Sequence, residues 1–176
     1  MVNERFPIGE FHFAEHISKE EMSGWIQEIK TFPIRLKEVV DNLKDEELDY
    51  TYREGGWVIR QIVHHIADSH MNAYIRLKLA LTEENPTIKP YAEEKWATLL
   101  DSTLPISVSV KMIEALHDRL AYLIECLTVE EVKRTFNHPD SGITSIQKNI
   151  GIYAWHGNHH LAHIKNALRK SIHNVE

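Results

Sequence analysis

The chain has 176 residues, a net charge of −6 and an ordinary hydrophobic fraction of 43%. That is length enough for one domain with a real core, expected to span residues 1–176. Its basic residues are interleaved with acids and form no patch, which excludes the counterion-release binding of nucleic acid.

Cys126 is the only cysteine, so one chain can form neither an internal disulfide nor a thiolate-ligated zinc site. Any metal falls to His, Asp or Glu. No apolar run approaches the ~20 residues needed to span a bilayer, and the segment Met1 to Pro7 lacks the basic-then-apolar pattern of a signal peptide. A cytoplasmic protein is expected.

The first helix opens at Ser18-Lys19-Glu20-Glu21, a capping box in which Ser18 and Glu21 satisfy backbone donors reciprocally. Apolar residues then recur at Met22, Trp25, Ile26, Ile29, Phe32, Leu36, Val39, Val40 and Leu43 with helical period, and Pro33 predicts a kink or a break. A turn-rich segment from Asp45 to Gly56 precedes a second helix over 58–81, whose core face reads Ile59, Ile62, Val63, Ile66, Ala73 and Leu77. The link from Thr82 to Pro105 is long for a compact bundle and predicts a crossover between parallel neighbours or a lid. A third helix follows over 107–127, with its stripe at Ile113, Leu116, Leu120, Leu123, Ile124 and Leu127. An irregular stretch, Phe136 to Gly142, leads to a fourth helix announced by Thr144-Ser145-Ile146-Gln147, read as a second capping box. Its apolar face is Ile146, Ile150, Tyr153, Leu161, Ile164 and Leu168. With no alternating strand pattern, these four amphipathic helices predict an all-α four-helix bundle.

Four histidines fall between His156 and His163 in the fourth helix. At ~100° per residue His160 lies closest to the centre of the apolar stripe, His156 next, His163 further out and His159 furthest away. The inward pair is therefore His156 and His160, one turn apart on one face, with Gly157 between them to let another helix or a ligand approach. Two such imidazoles are half of a metal site, and a third nitrogen ligand from another helix would leave a coordination position open. On the second helix His64 points away from the apolar face, His65 lies on its flank and His70 nearer its centre. Spacing alone leaves His65 and His70 as equal candidates.

Other constellations fall short. Glu114 and His117 match the Glu-x-x-His element of di-iron bundles, which needs a second copy that is absent. Cys126 projects away from the stripe of its helix. Asp68 lies one turn from His64 and His65, where it would orient a ligand or sit as a plain surface carboxylate.

Three stretches taken together resemble the DinB/YfiT-like superfamily, most closely its YfiT type. They are Tyr52 to Trp57 with its Gly55-Gly56-Trp57, His64 to Asn72 with His65 eight residues after the Trp, and Tyr153 to His163 with His156 and His160. The His138-Pro139-Asp140 loop belongs to the same likeness, which runs from about Ile8 to Arg169. The resemblance implies an up-down-down-up bundle whose long crossover joins the second and third helices. It also implies one divalent metal per chain, zinc first and nickel second, held by His65, His156 and His160, and a homodimer. Val58 departs from the Ser or Thr usual after the Trp, at a cost to the helix start of ~1 kcal/mol.

Three neutral imidazoles would leave the ion's charge uncompensated and able to ionise either water or a thiol. The resemblance carries both outcomes: metal-dependent hydrolysis, and S-transfer from a low-molecular-weight thiol of the bacillithiol type to an electrophilic small molecule. The transferase reading is preferred, because a thiolate is the better nucleophile for an open, soft-tolerant site. A metal-binding bundle without turnover is the third reading, since no acid–base residue beside the metal can be named from the sequence.

Overall fold

The computed structural model describes residues 3–14 and 16–173; Met1, Val2, Glu15 and the last three residues of the expected domain lie outside the described residues. Four long helices carry it: α1 (Lys19–Val40), α2 (Ile59–Thr82), α4 (Ser107–Glu125) and α5 (Ile146–His173), with a one-turn α3 (Glu93–Trp96) in the long link. The Ser18–Glu21 capping box forms as expected, Ser18 N donating to Glu21 Oε2 at 2.8 Å and Glu21 N to Ser18 Oγ at 3.1 Å. α1 then runs uninterrupted through Pro33, so the expected break does not occur. Val58, lacking a capping oxygen, sits at the start of α2 with its N–H donated to Gln61 Oε1 at 3.2 Å, half of a capping box.

Cross-helix pairs fix the directions. Lys30–Glu125 and Lys37–Glu114 make α1 and α4 antiparallel, and His65 and Arg76 meet α5 at His156 and Tyr153 in descending order. His64–Ser109 and His70–His117 make α2 and α4 parallel, and Gly151 against Trp25 with Gly157 against Phe32 does the same for α1 and α5. The bundle is therefore up-down-down-up. Parallel neighbours cannot be joined by a short turn, which is why the link after α2 is long.

Two local expectations fail. The stretch read as irregular forms a hairpin, β1 (Thr135–His138) and β2 (Gly142–Ser145), antiparallel with Phe136 opposite Thr144. Four-residue strands are too short to show alternation, and Gly142 supplies the positive φ of 78° that closes the turn. Thr144 consequently lies in β2, and the cap of α5 falls to Ser145, whose Oγ accepts from Lys148 N at 3.1 Å.

The apolar core comes in two clusters. One holds Phe32, Leu36, Ile62, Ile66, Ile113 and Ile164; the other holds Ile29, Leu77, Leu120, Ile124, Ile146 and Ile150. Every long helix changes cluster at the same level. At that level lie His70 on α2, His117 on α4 and His156 on α5, so a polar layer separates the two halves of the core.

Candidate metal centre

Antiparallel packing of α2 on α5 brings His65 across from the His156–His160 pair. One ring nitrogen from each of the three lies within 4.8 Å of the others, and the Nε2 atoms of His65 and His156 are 3.3 Å apart. Trp57 covers the trio from the loop before α2, its ring 4.6 Å from that of His65. Burial pushes the His65 ring down to about 4, and burial first, then the neighbouring imidazoles, holds His156 and His160 well below the ordinary histidine range. All three are thus neutral at pH 7, the state that offers a lone pair.

His70, the other candidate on α2, is fully buried but does not join the trio. Its Nε2 lies 3.1 Å from His156 Nδ1 and its Nδ1 lies 2.8 Å from His117 Nε2; His117 Nδ1 in turn lies 2.7 Å from the Ile29 carbonyl. His65 and His70 therefore both face inward, one beside the pair and one behind it. Gly157 works as a close-approach position, since a Cβ there would lie 2.8 Å from the Phe32 ring, which stacks on His70 and His117.

The helical wheel misplaced three rings. His64, expected to point outward, is buried because the link folds over it, with Nδ1 2.7 Å from Ser109 Oγ and Nε2 donating to the Leu104 carbonyl at 3.0 Å. His159 and His163 are also buried, under the segment before α1: Phe6 packs on His159, and His163 Nε2 donates to the Arg5 carbonyl at 3.3 Å. His159, His160 and His163 form a second set of nitrogens within 4.8 Å of one another. That set lines a cavity shared with His65 and His156, and of its rings His163 lies under the charge of Arg53. The Asp68 carboxyl is pushed up to about 6 by burial and by Asp101, and among the described residues it bonds no histidine.

Two cavities converge on this centre. One of about 540 Å³ is lined by Ser69, Arg76, Tyr91, Tyr153 and His156; the other, of about 320 Å³, by Arg53, Trp57, His65, His156 and His160. Glu93 and Glu94 of α3 border both, so the long link lines the cavities as well as making the crossover. In the larger cavity Ser69 Oγ lies 3.4 Å from His156 Nε2, and Arg76 Nη1 donates to the Tyr153 hydroxyl at 3.3 Å. Burial pushes Tyr91 up to about 12 and raises Tyr153 as well, so both stay protonated donors. These hydroxyls were missed in the sequence, although spacing held the signal. Ser69 is four residues after His65 and Tyr153 three before His156, each on the same helix face as its histidine. Tyr91 packs on Trp96 at 4.6 Å, so the aromatics of the link have a partner within the chain.

Fold and site together define a class: the chain belongs to the DinB superfamily, whose family model matches residues 29–164. It is 56% identical over 169 residues to an Oceanobacillus iheyensis protein named "Putative metal-dependent hydrolase", covering 96% of this chain and 98% of that one. Its fold matches YfiT from Bacillus subtilis, described as a probable metal-dependent hydrolase with an unusual four-helix bundle topology. That match has a TM-score of 0.93 at 47% identity, over 97% of this chain and 98% of that one. A mycothiol-dependent maleylpyruvate isomerase matches at a TM-score of 0.66 over 81% of this chain and 60% of its own, at 14% identity, a likeness of fold alone. Among the described residues no helix is long and apolar enough to cross a membrane.

Proposed function

We propose that the chain is a metal-dependent enzyme whose His65, His156 and His160 hold one divalent ion, zinc or nickel, and that it transfers a low-molecular-weight thiol to an electrophilic small molecule. The residues fit such an ion. Two lone-pair nitrogens 3.3 Å apart match the edge of a tetrahedron with metal–nitrogen bonds of about 2.1 Å. When bound, a divalent ion on neutral imidazoles lowers the pKa of a coordinated water or thiol enough to supply a nucleophile near pH 7.

The chain's own groups do the rest. Trp57 and the link limit access of water to the trio. Ser69 Oγ stands beside His156 Nε2, and Tyr91 and Tyr153, held protonated by burial, line the larger cavity as potential hydrogen-bond donors. The observation that carries the transferase reading is the pair of cavities meeting at His156. A two-substrate reaction needs space for both thiol and acceptor beside one centre, whereas hydrolysis needs one such space and water.

The names of the relatives favour the second reading, metal-dependent hydrolysis. The two differ in the sign of thiol dependence. As a transferase, the metal-loaded protein consumes a bimane or chlorinated aromatic probe only when a small thiol is added, and prefers one thiol over others. A hydrolase cleaves an ester or amide probe with water alone and is inhibited by thiol. No turnover of either kind at full metal occupancy would leave a metal-binding bundle.

A further inference from the structure

We infer that His70 and His117 form a tautomer clamp behind His156, anchored on the Ile29 carbonyl that Pro33 leaves free. In a helix the carbonyl of residue 29 accepts from the N–H of residue 33. Proline has none, so the Ile29 carbonyl lacks its helical donor. A freed carbonyl inside a packed core has to find another donor, and the one it finds is His117 Nδ1 at 2.7 Å. Pro33 thus frees an acceptor for the site inside a helix that continues through it.

From that anchor every proton is assigned in turn. A carbonyl oxygen only accepts, so His117 carries its proton on Nδ1. In a neutral ring its Nε2 is then a bare acceptor. His70 Nδ1, 2.8 Å away, must be the donor, which leaves His70 Nε2 bare. His156 Nδ1, 3.1 Å from that nitrogen, must donate in its turn. The one lone pair left on His156 is on Nε2, the nitrogen that faces His65 at 3.3 Å and Ser69 at 3.4 Å. Three rings, three protons and three hydrogen bonds close with nothing unsatisfied. The reverse order would need two protons on His117 and a charge at the centre of the apolar core, 5.4 Å from the Phe32 ring.

The chain of rings is a clamp and not a proton wire. A wire needs a group at its far end that can give up or take a proton, and a backbone carbonyl does neither. What the clamp does is hold His156 as the Nδ1–H tautomer, fix its ring plane and enrich Nε2 for a cation. On the other side, His163 and His160 have their Nδ1 atoms 3.5 Å apart, too far for a firm N–H···N bond, so the clamp is assigned to His156 alone. His70 and His117 are positioning residues. The inference rests on the proposed metal reading only in its last link.

Long-range proton–nitrogen NMR of the full-length 15N-labelled protein reads each tautomer directly, with and without cadmium-113 in place of the native ion. The expected result is Nδ1–H, with bare Nε2, at His70 and His117 in both forms, and Nδ1–H at His156 with cadmium coupling to its Nε2. An Nε2–H or doubly protonated His70 or His117 overturns the clamp. Nδ1–H at all three rings without cadmium coupling at His156 supports the clamp and removes the metal reading. A second measurement compares variants: His70→Leu removes the acceptor for His156 and is expected to weaken metal binding by about 10–100-fold, while His70→Gln, whose amide oxygen accepts, recovers most of it. Equal loss in two folded variants counts against the clamp.

Discussion

Acidifying the metal-free protein tests whether the core histidines are held neutral. A ring that titrates near 6.5 when unfolded and at about 4 when folded takes its proton first in the unfolded chain. Its contribution is therefore fully present above pH 6.5 and is lost as pH falls from 6.5 towards 4. His65 and His117 are both pushed down to about 4, mainly by burial. At pH 5.5 the unfolded ring is about ten parts protonated to one, and the folded ring almost not at all. That costs between about 1 and 2 kcal/mol per ring, hence about 3 kcal/mol for the two. His70, His156 and His160 are displaced in the same direction by the same cause and add to it, while Asp68, pushed up to about 6, takes its proton first in the folded chain and offsets part of it. Against a typical total of about 5–15 kcal/mol this is a large share. Urea unfolding of the metal-free chain at pH 7.5 and pH 5.5, followed by far-UV circular dichroism and tryptophan fluorescence, measures it. The expected outcome is a loss of about 3 kcal/mol or more at unchanged slope. A loss below about 1 kcal/mol would refute the reasoning, since it would mean that the folded protein protonates these rings as readily as the unfolded one.

Two further outcomes follow from the site and the family. The purified protein is expected to carry about one divalent metal per chain, and His65→Ala, His156→Ala or His160→Ala to empty it, while His159→Ala and His163→Ala stay close to full; elemental analysis decides, and the reverse pattern would move the ion to the second histidine set. The resemblance to YfiT-type proteins predicts a homodimer. Tyr91 and Trp96 are taken up within the chain, so within the link exposed Leu99, Leu100 and Leu104 are the apolar residues left to contribute to an interface; light scattering giving a monomer mass at micromolar concentration counts against it.

Much of the fold was legible because four long stripes of period 3.6 leave little choice of architecture. The hairpin was not, since four-residue strands carry no usable period and their burial comes from the link packing across them. Ile88 N–H bonds the Asn137 carbonyl and Asn137 N–H the Pro86 carbonyl, contacts between residues some fifty apart that no local pattern contains. The site divides in the same way. The His156–His160 pairing on one face follows from one helix alone, and the structure brings both rings together with His65. His65 needed a partner helix to show its face, and the resemblance supplied what the wheel left open. His64, His159 and His163 were read as outward because a wheel knows only the helix–helix core. Their cover comes from the link and from residues 3–14, which lie over α5 through Trp155 Nε1 donating to the Gly9 carbonyl.

Pro33 and Gly157 show why some functional residues look like defects when read one helix at a time. Proline inside α1 removes a helical hydrogen bond, and glycine inside α5 costs about 1 kcal/mol of propensity relative to alanine. Each loss has its return on a neighbouring helix. Pro33 leaves an acceptor for His117 of α4, and Gly157 makes room for the Phe32 ring that stacks on both clamp histidines. The histidine layer has the same character. It interrupts an otherwise continuous apolar core with rings that lose hydration on burial, so it stabilises the fold less than leucine or phenylalanine would in its place. A ligand that binds the folded state alone returns stability in proportion to its affinity. A layer that is costly when empty, pre-set in its neutral tautomers and open to two cavities is therefore one whose free energy is recovered on binding a cation, which is the arrangement a metal-dependent centre requires.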